Sequence, residues 1–179
     1  MIKKAYLAGG CFWCVEHDMR TVEGVISVIS GYMGGEDFVP SYHNHKGFRE
    51  SILVEYDENK ITYKKLLQFF IDHIDPTDTG GQFTDRGNSY LPAIYYTNEE
   101  EKKISQGVLD ELNNSGVYDK PSAIEIIKEQ KFFKAEEEHQ DFAEKNPEYY
   151  MRYRVGSGRE EFVQGTCKIR EEKHINWSE

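Results

Sequence analysis

The sequence predicts an α+β fold, a two-layer α/β sandwich with a ferredoxin-like βαββαβ core and an added helix, strand and C-terminal extension. Two observations support this prediction. Apolar, β-branched runs alternate with segments of helical periodicity, and their order up to residue 96 is β-α-β-β-α-β. The chain has 179 residues, of which 38% are hydrophobic and 13% aromatic, and this is enough to bury one core.

The first four elements lie in the first 56 residues. Residues 4–8 form a short apolar run, which predicts a strand. Residues 11–22 carry apolar side chains every three or four positions, as one face of a helix does. The segments 25–30 and 50–56 are rich in β-branched and apolar residues and predict two further strands. Between them, residues 36–48 are rich in Tyr, His, Asn and Pro and predict a long loop.

The rest of the core follows the same logic. Residues 62–71 have helical apolar spacing, and Thr62 is the expected N-cap. Gly, Asp and Thr are frequent in residues 75–90, which predicts a second long loop, and residues 93–96 form the strand that completes the core. Loops longer than about 12 residues in a compact domain are commonly functional. The two long loops are therefore the first places to look for a site.

Further elements are expected after the core. Residues 98–112 predict a helix with an acidic face, and residues 122–127 predict another strand. Helical character returns in residues 135–145 and again in residues 158–164.

Composition excludes several classes of partner. No internal repeat or low-complexity linker divides the chain, so we predict one domain over residues 1–167 and a polar tail over residues 168–179. The 32 acidic residues exceed the 22 basic ones, and the net charge of −10 disfavours nucleic acid and anionic membranes. No apolar run approaches the roughly 18 residues of a membrane span, and no secretory signal is visible. Three cysteines, an odd and small number, predict a reducing, cytoplasmic environment. We also expect a monomer.

The segment Gly9-Gly10-Cys11-Phe12-Trp13-Cys14 is the clearest chemical motif. It lies at the predicted turn from strand to helix, where free backbone N–H groups and the helix dipole stabilise a thiolate at Cys11. Phe12 and Trp13 offer an apolar, aromatic surface beside it. For a lone cysteine, burial in an aromatic core would be the simpler interpretation. A Cys-x-x-Cys pair that opens a helix instead favours redox chemistry or metal binding.

Two alternative functions use the same cysteines. A thioredoxin-like disulfide oxidoreductase would also place Cys-Phe-Trp-Cys after a strand. A zinc-binding module could recruit Cys11, Cys14, His43 and His45, because a structural zinc site needs four ligands. Ordinary surface histidines are the simpler interpretation of His43 and His45, and we expect no metal site.

An ordered set of motifs resembles one enzyme family. Gly10-Cys11-Phe12-Trp13, followed by Glu16, resembles the signature of the A-type peptide methionine sulfoxide reductases, which act on the S epimer of the sulfoxide. Further segments that resemble the family cover about residues 4–150: Gly24-Val25, Ser30 to Gly35, Pro40-Ser41-Tyr42, Gly47 to Glu50, Tyr56-Asp57, Ile61, Tyr63, Leu66-Leu67, His73 to Pro76, Asp85 to Tyr90, Ala93-Ile94-Tyr95, Phe132-Phe133, Ala135-Glu136-Glu137 and His139-Gln140.

The resemblance implies a role for each matching residue. A sulfoxide sulfur is a poor electrophile until its oxygen is protonated or strongly hydrogen-bonded, so the nucleophile needs an acid and donors nearby. By resemblance Cys11 is the nucleophile and Glu50 the acid, and Tyr42 and Tyr90 bind the oxygen. Asp85 is expected to orient Tyr90 or a water. Two aromatic side chains are expected to hold the substrate methyl group, namely Phe12 and Trp13.

The second half of the reaction also follows from the resemblance. Cys11 would become a sulfenic acid, which a second thiol would convert to a disulfide. Cys14 and Cys167, the latter in an expected mobile tail, are both candidates, with a slight preference for Cys14. Thioredoxin or another dithiol would then reduce the disulfide, and no bound cofactor is expected. The substrate would be methionine sulfoxide, free or in proteins.

One departure concerns the wall of the expected pocket. The stretch from Tyr42 to Glu50 is shorter than is usual in the family, and Phe48 occupies a position where His is usual. Both Tyr42 and Glu50 are nonetheless present.

Overall fold

The computed structural model describes all residues, 1–179, and contains eight strands and six α-helices. In chain order they are β1 (Ile2–Ala8), α1 (Phe12–Arg20), β2 (Val25–Met33), β3 (Arg49–Asp57), α2 (Tyr63–Asp72), β4 (Gly81–Gln82), β5 (Asp85–Arg86), β6 (Ala93–Tyr96), α3 (Glu99–Ser115), β7 (Glu125–Lys128), β8 (Phe133–Lys134), α4 (Phe142–Lys145), α5 (Pro147–Ser157) and α6 (Arg159–Lys173). Short 3-10 turns cover Asn88–Tyr90 and Glu137–His139.

The main sheet has six strands in the order β7-β6-β1-β3-β2-β8. Each neighbouring pair among the four inner strands, β6-β1-β3-β2, is antiparallel. Strands β1 and β2 are therefore parallel to each other with β3 between them, and β3 and β6 are parallel with β1 between them. This is the split βαβ arrangement, so the predicted α+β class with its ferredoxin-like core is confirmed. The added strands extend both edges, β7 parallel to β6 and β8 antiparallel to β2. A separate two-stranded hairpin joins β4 and β5.

Helices α1, α2 and α3 share one core with the sheet. Phe12 from α1, Leu66 and Phe70 from α2, and Ile52 from β3 are each at most 1% exposed. Burial of one such side chain contributes about 1.5–3 kcal/mol. The core therefore fixes the start of α1 against β3, and these two elements carry the candidate site.

Capping side chains begin two of these helices. The Thr62 hydroxyl accepts a hydrogen bond from the backbone N–H of Lys65 at 3.2 Å, so the predicted cap of α2 is confirmed. Asn98 caps α3 in the same way through the N–H of Glu101, at 2.9 Å. Gly116, in the left-handed conformation with φ of +78°, ends α3.

The prediction of one helix over residues 135–145 is wrong. The chain there makes a 3-10 turn, passes through Asp141 at φ of +55°, and only then forms the short α4. The cause is tertiary: the side-chain amide of Gln140 donates to the carbonyl of Ser30 at 2.8 Å and accepts from its N–H at 3.0 Å. These bonds tie the segment to β2.

Residues 168–179, predicted as a polar tail, are helical up to Lys173 and contact α2 beyond it. The expected boundary at residue 168 falls inside α6, which continues to Lys173. Beyond the helix, the Trp177 indole N–H donates to Asp72 Oδ2 at 2.8 Å, and the Arg170 guanidinium binds the other oxygen of the same carboxylate at 2.9 Å. The C-terminal residues are therefore packed on α2. No helix combines the length and apolar character needed to cross a bilayer.

Candidate active site

Cys11 lies at the turn between β1 and α1, as the motif predicts. It is the N-cap residue of α1 and is only 5% exposed. Gly10 precedes it at φ of +86°, and a Cβ atom on Gly10 would lie 2.5 Å from Cβ of Gln82. Only glycine satisfies both conditions, so this turn fixes the position of the thiol against the loop after α2.

Glu50 is bonded directly to the start of this helix. The backbone N–H of Phe12 donates to Glu50 Oε1 at 3.1 Å, and Glu50 is 2% exposed. Burial raises the pKa of this carboxyl to about 8, although the Phe12 N–H and the nearby Tyr90 hydroxyl act to lower it. Glu50 therefore carries a proton at neutral pH and can donate it.

The two predicted tyrosines approach the same carboxyl from different elements. The backbone N–H of Tyr42 donates to Glu136 Oε2 at 2.9 Å, and its ring stacks on His139 at 4.2 Å. Tyr90 ends the 3-10 turn after β5. Burial and the charge of Glu50 raise the pKa of Tyr42 to about 12, and the same causes raise the pKa of Tyr90. Both hydroxyls therefore remain protonated donors.

Asp85 lies near this group but has a different bonding partner from the expected one. Its carboxylate accepts a hydrogen bond from the Tyr153 hydroxyl of α5, and the expected bond to Tyr90 is not formed. The negative charge of Asp85 contributes to the raised pKa values of Glu50 and both tyrosines. Asp85 therefore acts on the site as a charge held by Tyr153, and its role in orienting Tyr90 or a water stays a prediction.

An aromatic cleft of about 620 Å³ opens beside the helix start. Trp13 forms one wall: its ring stacks on Phe142 with centroids 3.8 Å apart, and its indole N–H donates to His139 Nδ1 at 3.2 Å. Phe12 lies deeper, 1% exposed and 5.7 Å from the ring of Tyr32. The lining also includes His43, considered above only as a zinc ligand, and three residues that the sequence did not point to, namely Glu138, Asn146 and Tyr149.

Cys14 is fully buried one helical turn after Cys11, and both thiols are free. Each thiol influences the pKa of the other. Burial raises the pKa of Cys11. Burial also acts to raise that of Cys14, but the interaction with Cys11 and the positive charges of Arg159 and Arg154 lower it to about 7. The pair therefore holds a thiolate at neutral pH.

Comparisons with known proteins agree with this geometry. A model of the family described as peptide methionine sulfoxide reductase matches residues 3–171. This chain is similar to the peptide methionine sulfoxide reductase MsrA of Bacillus licheniformis, with 44% identity over 164 residues, 89% of this chain and 91% of that protein. The chain belongs to the A-type peptide methionine sulfoxide reductases.

Solved structures support the same assignment. The fold resembles that of Mxr1 from Saccharomyces cerevisiae in reduced form, with a TM-score of 0.71 and 30% identity over 82% of this chain and 86% of that one. It also resembles Mxr1 in complex with Trx2, with a TM-score of 0.51 and 25% identity over 79% and 85% of the two chains. The alternative of a thioredoxin-like oxidoreductase is therefore wrong.

The four residues considered for a zinc site, Cys11, Cys14, His43 and His45, are not among the side chains that converge as potential metal ligands. Only one set of three potential metal ligands converges within 4.8 Å, and it consists of Glu136, Glu138 and His139. Because the Trp13 indole can only donate, the Nδ1 atom of His139 accepts and a neutral ring carries its proton on Nε2. A protonated Nε2 is not a metal ligand. It is instead a buried donor 3.7 Å from Glu138 Oε1.

The shortened loop of the reductase brings His45 to the acid. His45 Nδ1 lies 3.0 Å from the carbonyl oxygens of Ser41 and Tyr42, and Nε2 lies 3.9 Å from Glu50 Oε2. Phe48, at the position where the family usually has His, is fully buried. From the sequence, His45 was a candidate only as a zinc ligand. Its contact with Glu50 could not be predicted, because no sequence pattern encodes the distance between the two side chains.

Cys167 does not lie in a mobile tail. It is exposed on α6. The helix is anchored before it by the buried residues Val163 and Thr166, and after it by the ion pair of Arg170. Burial by neighbouring groups and the charge of Asp72 raise its pKa. Cys167 is eight residues from Arg159, or about 12 Å along the helix axis.

Proposed function

We propose that this reductase converts the S epimer of methionine sulfoxide, free or in peptides, to methionine, with Cys11 as nucleophile and Glu50 as proton donor. The hydrogen bond from the Phe12 N–H to Glu50 carries this proposal. It holds a buried, protonated carboxyl against the first turn of the helix that Cys11 caps. The nucleophile and the acid are therefore both anchored at the start of α1.

In the first step the Cys11 thiolate attacks the sulfoxide sulfur while Glu50 delivers its proton to the sulfoxide oxygen. The hydroxyl then passes from the substrate sulfur to the Cys11 sulfur, so that both the S–O bond and the new S–S bond break and the S–S electron pair stays on the methionine sulfur. Methionine leaves with two electrons gained, and Cys11 becomes a sulfenic acid, oxidised by two electrons. Glu50 regains its proton from solvent, and His45 Nε2 lies 3.9 Å from Glu50 Oε2.

The tyrosine hydroxyls assist this step. Negative charge develops on the sulfoxide oxygen as Cys11 forms a bond to the substrate sulfur. The hydroxyl groups of Tyr42 and Tyr90 donate hydrogen bonds to this oxygen, and these bonds become stronger as the charge grows. Both groups keep their protons because burial raises the pKa of each. Phe12 and Trp13 supply the apolar surface for the methyl group. With the methyl group held there, only one epimer directs its oxygen towards the donors Glu50, Tyr42 and Tyr90.

We assign the resolving step to Cys14. Its sulfur attacks Cys11 Sγ, a water molecule leaves, and a Cys11–Cys14 disulfide forms. Residues three apart on a helix have Cβ atoms about 5–6 Å apart, so a disulfide at about 3.8 Å requires a small adjustment of the first turn. The thiolate character of Cys14 supports the assignment, whereas Cys167 would have to leave a packed helix.

The final reductant is thioredoxin or another dithiol. The structural relative Mxr1 forms a complex with Trx2, a thioredoxin, which supports this choice. Two electrons from the dithiol restore both thiols, so turnover needs no bound cofactor.

The experiment is a single turnover of the reduced protein with a racemic N-acetyl-methionine sulfoxide amide and no added reductant. We expect loss of only the S epimer, with about one methionine formed per protein, and no product from Cys11→Ser. Consumption of the R epimer, or product from Cys11→Ser, would refute the proposal.

A further inference from the structure

Arg159 is a buried cation without a carboxylate partner. It is 1% exposed, and no Asp or Glu oxygen lies within 4.0 Å of its guanidinium. The other well-buried arginines all have such partners: Arg154 binds Asp18 and Glu160, Arg49 binds Glu125, and Arg170 binds Asp72. A buried charge is costly unless it is neutralised, and an arginine does not lose its proton in a protein. The structure must therefore supply an anion.

The guanidinium lies against the turn that presents Cys11. Its Nη2 donates to the carbonyl of Gly9 at 3.0 Å, and its Nη1 donates to the carbonyl of His73 at 3.0 Å. A Cβ atom on Gly10 would lie 2.9 Å from Nη2, so the cation directly contacts the residue before the nucleophile. The ring of Phe83 covers it from the other side, 4.8 Å from the guanidinium carbon.

None of the nearby acidic groups forms an ion pair with this cation. Glu50 is protonated at neutral pH because burial raises its pKa to about 8. The Asp85 carboxylate is bonded to Tyr153, and Asp75 accepts from Thr77. The two carbonyl oxygens are dipoles and bring no net charge. The remaining ionisable groups close to this turn are the thiols of Cys11 and Cys14.

We propose that Arg159 is the counter-ion of the thiolate shared by Cys11 and Cys14, and is thereby a positioning residue for the nucleophile. Burial acts to raise the pKa of both thiols, and the charge of Arg159 acts to lower it at both. The cation also binds the carbonyl of Gly9, so one side chain both holds the turn and neutralises the charge that forms beside it. The role rests on the proposed use of this pair in turnover.

The junction between α5 and α6 places this cation. Gly158, at φ of +88°, joins the last turn of α5 to the first turn of α6, and Arg159 is the first residue of α6. A Cys11–Cys14 disulfide carries no charge, so oxidation leaves Arg159 unpaired. Arg159 therefore stabilises the reduced pair and makes the disulfide more readily reduced.

The test is the titration of the thiolate by its ultraviolet absorbance, in full-length protein with Cys167→Ser so that only the pair is observed. We expect Arg159→Met to raise the midpoint by about one pH unit or more, which is about a fivefold loss of thiolate at pH 7. Arg159→Lys keeps the charge and should stay near the parent midpoint. Arg170→Met removes a cation from the same helix and serves as the matched control.

The same variants distinguish loss of the Arg159 charge from structural damage. If Arg159→Met does not fold, Arg159→Gln, which keeps an N–H donor for the carbonyl groups, is titrated instead. An unchanged midpoint in the folded charge-removing variant, or an equal shift in Arg170→Met, would overturn the role of Arg159. Because the titration needs no sulfoxide, its result is independent of whether Cys11 acts as the nucleophile in reduction.

Discussion

The backbone N–H of Phe12 donates a 3.1 Å hydrogen bond to Glu50, and this bond links the helix that begins after Cys11 to the central strand β3. An N–H at a helix start normally favours an ionised carboxylate. Here burial outweighs it, and the pKa of Glu50 rises to about 8. The site therefore combines a thiolate and a neutral carboxylic acid at the same pH, which sulfoxide reduction requires.

Cys14→Ser should keep one reduction event but lose turnover with thioredoxin, because the sulfenic acid has no partner thiol. Cys167→Ser is the matched control and should turn over at the parent rate, since Cys167 is on a packed helix. Mass mapping after one turnover should show a Cys11–Cys14 disulfide. Full turnover by Cys14→Ser, with a Cys11–Cys167 disulfide, would transfer the resolving role to Cys167.

Tyr42→Phe and Tyr90→Phe should each slow single turnover by about 10²-fold, the effect of removing one oxyanion donor. Each change leaves ring packing intact, so the melting temperature should hardly change. Rates are measured with saturating sulfoxide, and the double variant should lose less than the product of the two single effects, because both hydroxyls serve one oxygen. An unchanged rate in both single variants would remove the tyrosines from the mechanism.

The stability of the protein should depend on pH through Glu50. Its folded pKa is raised, so its contribution to stability is complete below the unfolded value of about 4.3 and is lost as the pH rises towards 8. Glu50→Gln stays neutral, so its stability relative to the parent should rise with pH by about 1.4 kcal/mol per unit between about pH 5 and pH 8. Urea unfolding at several pH values measures this difference. A pH-independent difference would mean that Glu50 is ionised in the folded protein.

Asp85→Asn should lower the pKa of Glu50, because the Asp85 charge is one of the causes that raise it. Asparagine still accepts the Tyr153 hydrogen bond, so the position of α5 should not change. The pH at which single turnover begins to fall should therefore move down. Tyr153→Phe keeps the charge and controls for loss of the hydrogen bond. A movement to higher pH in Asp85→Asn would contradict this electrostatic role.

The elements with strong periodicity could be predicted from sequence, as Thr62 and the helix that it caps illustrate. Only the start of the C-terminal helix, within residues 158–164, could be predicted. The rest could not, because charged residues are frequent after Cys167 and a few tertiary anchors, among them buried Arg159 and Thr166, hold the helix in place. The motif residues around Cys11 were predictable because their chemistry is local. Arg159 and Tyr153 reach the site from more than 60 residues away along the chain, and no spacing rule encodes such contacts.

The most direct test is the pH profile of single-turnover methionine formation in the parent and in Glu50→Gln. The parent should give a bell-shaped profile: the rate rises as the thiols of Cys11 and Cys14 ionise and falls as Glu50 ionises near pH 8. Glu50→Gln should be slower by about 10²–10⁴-fold and should lose the falling limb while keeping the rising one. A falling limb that persists in Glu50→Gln, or a rate equal to that of the parent, would contradict the assignment of Glu50 as the acid.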